Sequence, residues 1–406
     1  MSGRRGLDRA IDRVVRSGNC SGCGACALLD SGIEMRLNDE GYNRPVRTGA
    51  TSATADARSR FAAVCPGVTV AAQSPEGATR HPTMGPVIQV FEAWATDDDI
   101  RFAGSSGGVL TALSTWLLET GEAARVIGAA SEPSEPRRTV SVQLTTREGA
   151  IASAGSRYAP ASNAALPAAL LPDTAFVGKP CEVSALRALH AGRDDAPLLL
   201  SFYCAGTPSQ HATDRLTETL GVPTGEPIEA LWYRGHGWPG RFTVTRGDGS
   251  EASASYEDSW GTALGPTVQW RCKLCPDGVG ESSDVTAADL WRADDRGYPD
   301  FTEGAGVSAL IARTARGLDV VRRAVAAGVI TATPISINSV AAVQPLHRDR
   351  RRTLAGRLLG TMLAGGIVPR YRGFGLVALA LPRLRENWRM AKGSFRRRRA
   401  LRDSHD

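Results

Sequence analysis

Eight cysteines divide into two sets of four with nothing left over. In Cys20-Ser21-Gly22-Cys23-Gly24-Ala25-Cys26 three of them recur at every third residue, and Cys65, followed by Pro66, lies further on. Three thiolates on a glycine-bearing turn, closed by a remote Cys-Pro, form the pattern that clasps an iron–sulfur cubane. The second set is Cys181, preceded by Pro180, then Cys204, then Cys272 and Cys275 in Arg-Cys-Lys-Leu-Cys-Pro. Zinc competes for both sets, because four thiolates also hold it tetrahedrally. The tight first run favours the cubane. The second set stays open to a zinc knuckle or redox pair at Cys272 and Cys275, and to plain buried thiols at Cys181 and Cys204. Its total of four and its two flanking prolines favour a second 4Fe–4S cluster. Two-cluster ferredoxins carry a further cysteine after three intervening residues; here that position is Asp30, so the N-terminal run is expected to serve one cluster.

Other segments have the makings of a cofactor site. Gly104-Ser105-Ser106-Gly107-Gly108-Val109 opens a helical pattern with apolar residues at Val109, Leu110, Leu113 and Leu117. Backbone amides at a helix start bind anions, and glycines let a diphosphate approach; the competing reading is an ordinary N-cap. Beside two clusters, the segment suggests a flavin, which couples hydride chemistry to single-electron steps. Gly155-Ser156-Arg157-Tyr158 offers a cation and a phenol, or is a surface turn. Lys179, just before Pro180-Cys181, is expected either to act on the flavin, cluster or an acidic substrate, or to be solvated. Tyr233 to Gly240 is dense in aromatics and glycine around His236, read as an acid or base or as merely solvated, and Asp284 and Asp289 either orient ligands or cap helices, with capping favoured.

These residues need elements to position them. Leu7 to Val15 reads as an amphipathic helix, Asn38 to Gly41 as a turn and Tyr42 to Val46 as a strand, giving a ferredoxin-like cluster module over residues 1–75. Gln73 to Pro86 reads as a linker. From 87 to 345, strand and helix patterns alternate as in a mixed α/β (α+β) domain, expected to bind FAD and the second cluster. Strands at Thr174 to Val177 and Leu198 to Tyr203 deliver Cys181 and Cys204 at their C-terminal ends, where open sheets bind ligands. Residues 346–406 form a basic tail with 16 Lys and Arg against 4 Asp and Glu, whereas the whole chain of 406 residues is only +6. Leu358 to Leu381 is apolar but interrupted by Pro369, Arg370 and Arg372. The tail is read either as lying on a membrane surface or partner, or as a solvated extension. A hydrophobic fraction of 42% without a long uncharged apolar run predicts no spanning helix. The polar N-terminus and cysteines at ligand spacing predict a cytoplasmic protein, with peripheral membrane contact left open.

Taken in order, Cys20-x2-Cys23-x2-Cys26, Ser105 to Val109, Gly155 to Tyr158, Val177-Gly178-Lys179-Pro180-Cys181, Phe202-Tyr203-Cys204, Tyr233-Arg234-Gly235-x2-Trp238-Pro239-Gly240 and Arg271-Cys272-x2-Cys275-x-Asp277, with Asp284 and Asp289, resemble the coenzyme F-420 hydrogenase/dehydrogenase beta-subunit family. The resemblance implies an FAD-binding iron–sulfur oxidoreductase that passes electrons between a hydride carrier such as reduced coenzyme F-420, or ferredoxin, and a second acceptor. It implies FAD contacts from Ser105, Ser106, Gly107, Gly108, Val109, Ser156, Arg157 and Tyr158, and cluster ligation by all eight cysteines. Lys179 and Arg157 are the candidates for fixing the flavin or an acidic deazaflavin tail. A redox partner protein and a small hydride donor or acceptor are the expected partners, with self-association open and no nucleic acid expected. Two alternatives stand beside this reading: a non-catalytic electron-transfer subunit of a larger complex, and a zinc-stabilised binding protein.

Overall fold

The computed structural model describes residues 2–292, 300 and 302–403. Leu7, Ile11 and Val14 recur at helical spacing, so they share one face of α1 (Ser2–Arg16). That face buries against Ala57 and Phe61 of α2 (Ala57–Val64) and against Leu29 and Ile33. The turn at Asn38 to Gly41 joins two antiparallel strands, Ile33–Leu37 and Asn43–Arg47. Asn38 makes the turn: its carboxamide oxygen accepts from the Tyr42 amide at 2.9 Å, and Gly41 supplies a positive φ of 77°. The segment read as a linker is instead partly a hairpin, Thr79–His81 against Gly85–Val87. Its tip carries Met84, which is fully buried against Val279 and Ala341, and that burial outweighs the polar composition around it.

The centre of the molecule is an eight-stranded mixed sheet. Its strands are β1 (Gln89–Ala95), β2 (Arg125–Glu132), β3 (Glu135–Leu144), β4 (Thr174–Gly178), β5 (Leu198–Phe202), β6 (Val285–Asp289), β7 (Ser308–Ala312) and β8 (Ile330–Pro334), in spatial order β8-β1-β7-β6-β5-β4-β2-β3. The four strands β6, β5, β4 and β2 run parallel, and β7 is antiparallel to both β6 and β1. Hence β1 points the same way as the parallel set, and five C-terminal strand ends meet at one edge of the sheet. Alternate residues feed opposite faces. Phe91, Val126, Leu200 and Leu310 pack under α3 (Val109–Glu119) and α5 (Ala315–Ala326). Ile127, Phe176 and Leu199 pack on the other face under α4 (Pro180–Leu189) and touch Cys23, Ala25 and Val64 of the N-terminal module. A smaller antiparallel sheet, Ile228–Trp232, Phe242–Arg246 and Glu251–Ala254, packs on the helix Gln210–Thr219.

Residues 345–403 are built onto this body as α6 (Pro345–Arg352), α7 (Leu354–Leu363), α8 (Leu376–Ala380) and α9 (Leu384–Asp403). A short strand, Arg370–Arg372, pairs in parallel with Thr69–Ala71. The charge that reads as solvated in the sequence is partly buried: Arg351 forms an ion pair with Glu281, and both are almost inaccessible to water. No helix among the described residues is long and apolar enough to cross a membrane.

Candidate functional site

The parallel strands deliver their cysteines to the C-terminal edge as the spacing predicts. Lys179 follows β4, Cys181 is the second residue of α4, and Cys204 lies two residues beyond β5. Cys272 and Cys275 come from the short helix Trp270–Lys273 and the turn after it. The Thr207 amide points at the Cys272 sulfur (3.5 Å), and the Cys204 amide donates to the Gly278 carbonyl at 2.8 Å, which ties the two loops together. Gly206 permits the approach: at φ 141° a Cβ there would sit 2.2 Å from a Val268 methyl and 3.0 Å from the Cys272 Cβ. Burial raises the Cys204 thiol to about 12, and Cys272 and Cys275 act next most strongly on it. Burial also raises Cys181, with Lys179 pulling the other way and Cys272 adding to the rise.

The first set lines a pocket. Cys20, Cys23, Cys26 and Cys65 line it together with Ile11, Val14, Phe61 and Val64, so the thiols face an apolar wall. Burial lifts Cys23 to about 11, and it raises Cys26 and Cys65 as well, with the other thiols of the set adding to both. Asp30, where a further cysteine would stand, is a loop anchor. Its carboxylate accepts from the Gly32 and Ser52 amides at 3.0 Å each, from Thr51 at 2.7 Å and from Arg47 at 2.8 Å. Burial opposes that charge, but these donors outweigh it and hold the carboxyl below its ordinary range.

One short segment stitches the two sets together. The Gln269 carboxamide donates to the Ser21 carbonyl at 2.9 Å, beside Cys20. Arg271, buried and adjacent to Cys272, sends Nε and one terminal nitrogen to the Pro66 carbonyl at 3.2 and 2.9 Å, beside Cys65. Burial works against its charge, yet Tyr371 and the thiols of Cys275, Cys181 and Cys272 hold its pKa above the ordinary arginine value. Lys179 is likewise buried. It donates to Glu182 at 2.8 Å and to the Ala161 carbonyl at 2.7 Å, and Glu182, Cys181 and Cys204 offset the burial that opposes its charge. Two buried cations beside thiols suit a group that carries negative charge, as four thiolates on an iron–sulfur core do.

Among the described residues no group of three His, Cys, Asp or Glu side chains is fit to hold a single metal ion. Zinc would draw four thiolates to within about 3.8 Å of one another, from its Zn–S bonds of about 2.3 Å. A cubane places each thiolate on a separate iron and so spreads the set. Four thiolates gathered at one apolar pocket form a donor set that suits an iron–sulfur core.

The tail reaches the same region. Arg351 donates to the Pro276 carbonyl at 2.8 and 3.1 Å, Arg350 to Ala205 at 2.6 Å, Arg357 to Lys273 at 3.2 Å, and the Tyr371 hydroxyl to Leu274 at 2.6 Å. Each accepting carbonyl lies within one residue of Cys204, Cys272 or Cys275. Sequence reasoning had no route to these contacts, because nothing local in the tail specifies them.

The candidate flavin residues meet at the same edge of the sheet, between β1 and α3. The Ser156 hydroxyl donates to Ser105 at 2.7 Å, and Ser156 pairs with Arg234 as an isolated bridge. Ser106 and the Gly107 amide are both tied to the Ser308 hydroxyl, at 2.5 and 2.9 Å. Gly108 is left-handed at φ 70°, and α3 then starts at Val109 with no side-chain cap, so its first amides keep their donor capacity. Tyr158 packs at 4.8 Å on Trp260. Arg157 is occupied within the fold: it donates to Thr139 and to the carbonyls of Leu231, Pro136 and Arg138 at 2.6–3.0 Å. Arg234 is the cation that sequence reasoning passed over. It is fully buried, pairs with Asp289 at 2.8 Å and lies over the rings of Trp238, Tyr256 and Trp291. One of its terminal nitrogens has no hydrogen-bond partner. The aromatic density of Tyr233 to Gly240 was the available signal. Asp284 and Asp289 do not cap helices. Asp284 accepts from Arg187, Thr314 and the Leu199 amide, each at 2.9 Å, so it braces the sheet. His236 stacks on Trp232 with ring centroids 4.3 Å apart.

Known proteins share this fold. Residues 90–166 match the N-terminal part, and residues 172–338 the C-terminal part, of the coenzyme F-420 hydrogenase/dehydrogenase beta subunit. The coenzyme F-420 hydrogenase subunit beta of Methanothermobacter thermautotrophicus is 26% identical over 270 residues, which span 62% of this chain and 86% of that protein. A chain of the F-420-reducing nickel–iron hydrogenase complex of Methanosarcina barkeri superposes with a TM-score of 0.54 at 21% identity, covering 72% of this chain and 98% of its own. The chain belongs to the coenzyme F-420 hydrogenase/dehydrogenase beta-subunit family.

Proposed function

We propose that this protein is an iron–sulfur flavoprotein that passes electrons between a hydride carrier, reduced coenzyme F-420 or a ferredoxin, and a second acceptor. What supports the reading is the convergence of two cysteine quartets, Cys23 buried and the other seven half-buried, with an uncapped helix start on one edge of the sheet. FAD, when bound, supplies the exchange between a two-electron hydride and single electrons. The protein's share is to bind, orient and insulate. The amides of Val109 and the residues after it receive a diphosphate, Gly107 and Gly108 shape the turn by fitting closely against the Ala93 and Ile100 carbonyls, and Ser105, Ser106, Ser156 and Tyr158 line its flank. Arg157 braces β3 against the smaller sheet and so positions Ser156 and Tyr158. Arg234, with its unpartnered nitrogen, is the better candidate for touching the ring system. Cys20, Cys23, Cys26 and Cys65 hold one 4Fe–4S cluster, and Cys181, Cys204, Cys272 and Cys275 hold the other. Lys179 and Arg271 balance the charge of the second cluster, and Gln269 and Arg271 keep the two close.

The test is anaerobic purification followed by an absorption spectrum with iron, zinc and flavin analysis. About eight irons per chain, as two cubanes require, and one FAD are the expected result. A colourless, zinc-containing protein without flavin would refute the reading. A second reading, an electron-transfer subunit with no substrate of its own, draws support from the relatives, whose names describe a hydrogenase subunit and a hydrogenase complex. Reduction of the flavin by reduced F-420 in the isolated chain separates the two.

A further inference from the structure

Ten of the fifteen exposed large apolar side chains among the described residues lie beyond residue 345. Four of them, Val377, Leu381, Leu384 and Trp388, are more than half exposed and follow one another at intervals of four, three and four. The backbone from α8 to α9 stays helical through a single 3-10 turn at Leu381–Arg383, so this spacing sets the four side chains in one stripe. The neighbouring arc of α9 is accounted for: Asn387, Ala391 and Ser394 are buried, and α9 packs so closely on α7 that a Cβ at Gly356 or Gly360 would strike the Asn387 or Ala391 carbonyl at 2.1 or 2.0 Å. Leu384 and Trp388 border that packed arc on its solvent side and remain more than half exposed beside it.

Cations flank it. Arg385, Arg389, Lys392 and Arg396 follow on the adjoining arc, all exposed, and the Lys392 ammonium lies 5.4 Å from the Trp388 ring centroid. Between Leu376 and Arg399 there are eight Lys and Arg and a single carboxylate, Glu386, which is paired with Arg383. The segment from Leu346 carries +12 and the rest of the chain −6. An anionic surface would draw this end in and hold the acidic body away.

We infer that α8 and α9 form an interfacial anchor that lies on an anionic lipid bilayer, with Val377, Leu381, Leu384 and Trp388 entering the headgroup boundary and the flanking cations meeting lipid phosphates. A narrow apolar stripe, an exposed Trp and a one-signed basic border are what an in-plane helix needs. A continuous negative surface also satisfies these cations without the matched acidic positions that a protein partner must supply. The inference does not depend on the redox reading above.

The test is flotation of the full-length protein with vesicles of phosphatidylcholine alone and of phosphatidylcholine with phosphatidylglycerol. Binding is expected only with the anionic vesicles, and it is expected to be lost in about 1 M salt, where screening acts over about 3 Å. The triple variant Arg385→Gln/Arg389→Gln/Lys392→Gln should lower the partition coefficient about fivefold per charge removed. Val377→Asp/Leu384→Asp should abolish binding while leaving the circular dichroism and melting temperature unchanged, since both side chains are exposed. Failure of the wild type to float with anionic vesicles overturns the inference. So does retention of binding by the Val377→Asp/Leu384→Asp variant, which would leave only diffuse charge attraction. Concentration-dependent self-association, lost in that variant and without vesicle binding, would assign the stripe to a second protein instead.

Discussion

Replacing Arg351 by Met should loosen the loop that carries Cys272 and Cys275. The guanidinium spans two buried partners, the Glu281 carboxylate and the Pro276 carbonyl, and both Arg351 and Glu281 are at most 2% exposed. Removing one member of a buried pair costs about 3–5 kcal/mol, mostly because the other charge is stranded. Glu281 is not wholly stranded, because Arg80 still donates to it at 2.8 Å from a partly exposed position. The loss should therefore fall at the low end, about 3 kcal/mol. Chemical denaturation of the wild type, R351M, E281Q and the double variant forms a cycle that isolates the pair from each side chain's other contacts. A coupling energy of about 2 kcal/mol or more is expected. R351M should also speed alkylation of Cys275 in the apo-protein, because Pro276 is the next residue. A coupling below about 0.5 kcal/mol, the level of exposed pairs, with unchanged Cys275 reactivity, would refute the claim that the C-terminal helices clamp the second cysteine set.

Other perturbations separate the remaining roles. Cys65→Ala and Cys272→Ala should each remove about four irons per chain and leave the other set loaded, as read by iron analysis and electron paramagnetic resonance. Arg234→Met should weaken flavin retention far more than Arg157→Gln, and Arg157→Gln should instead lower the melting temperature because it frees three buried carbonyls; equal flavin loss in both would restore Arg157 as a contact residue. Lys179→Met should shift the potential of the second cluster downward, since a nearby cation favours the more negative reduced form, with the first cluster moved less in a redox titration. His347 is held near a pKa of about 3 by burial, with Arg350 and Arg351 adding to the depression. The unfolded chain takes up this proton below about 6.5, so stability should be complete above that pH and fall as pH drops from there towards about 3. His347→Gln should flatten that slope in denaturation measured against pH.

Local signals were decisive wherever the chemistry is local. Cys20, Cys23 and Cys26 lie within seven residues, so a tight turn with Gly22 and Gly24 at positive φ is enough to gather them. The α1 face and the strands that deliver Cys181 and Cys204 follow from apolar periodicity, which acts over a few residues. That Cys181, Cys204 and the Cys272–Cys275 pair share a neighbourhood is decided by the parallel order of β4, β5 and β6 and by the glycine-only bend at Gly206, at φ 141°, and no spacing in the chain specifies that order. The two arginines make the same point. Arg157 and Arg234 both stand in glycine-rich, aromatic contexts, yet β3 and Leu231 consume the donors of one, while Asp289 and three rings bury the other with a nitrogen to spare. Composition marks residues 346–406 as basic. Only packing decides which of those charges turn inward to Glu281 and the cysteine loops and which remain on the outer arc of α9, because burial of a charge depends on the partner that tertiary structure brings to meet it.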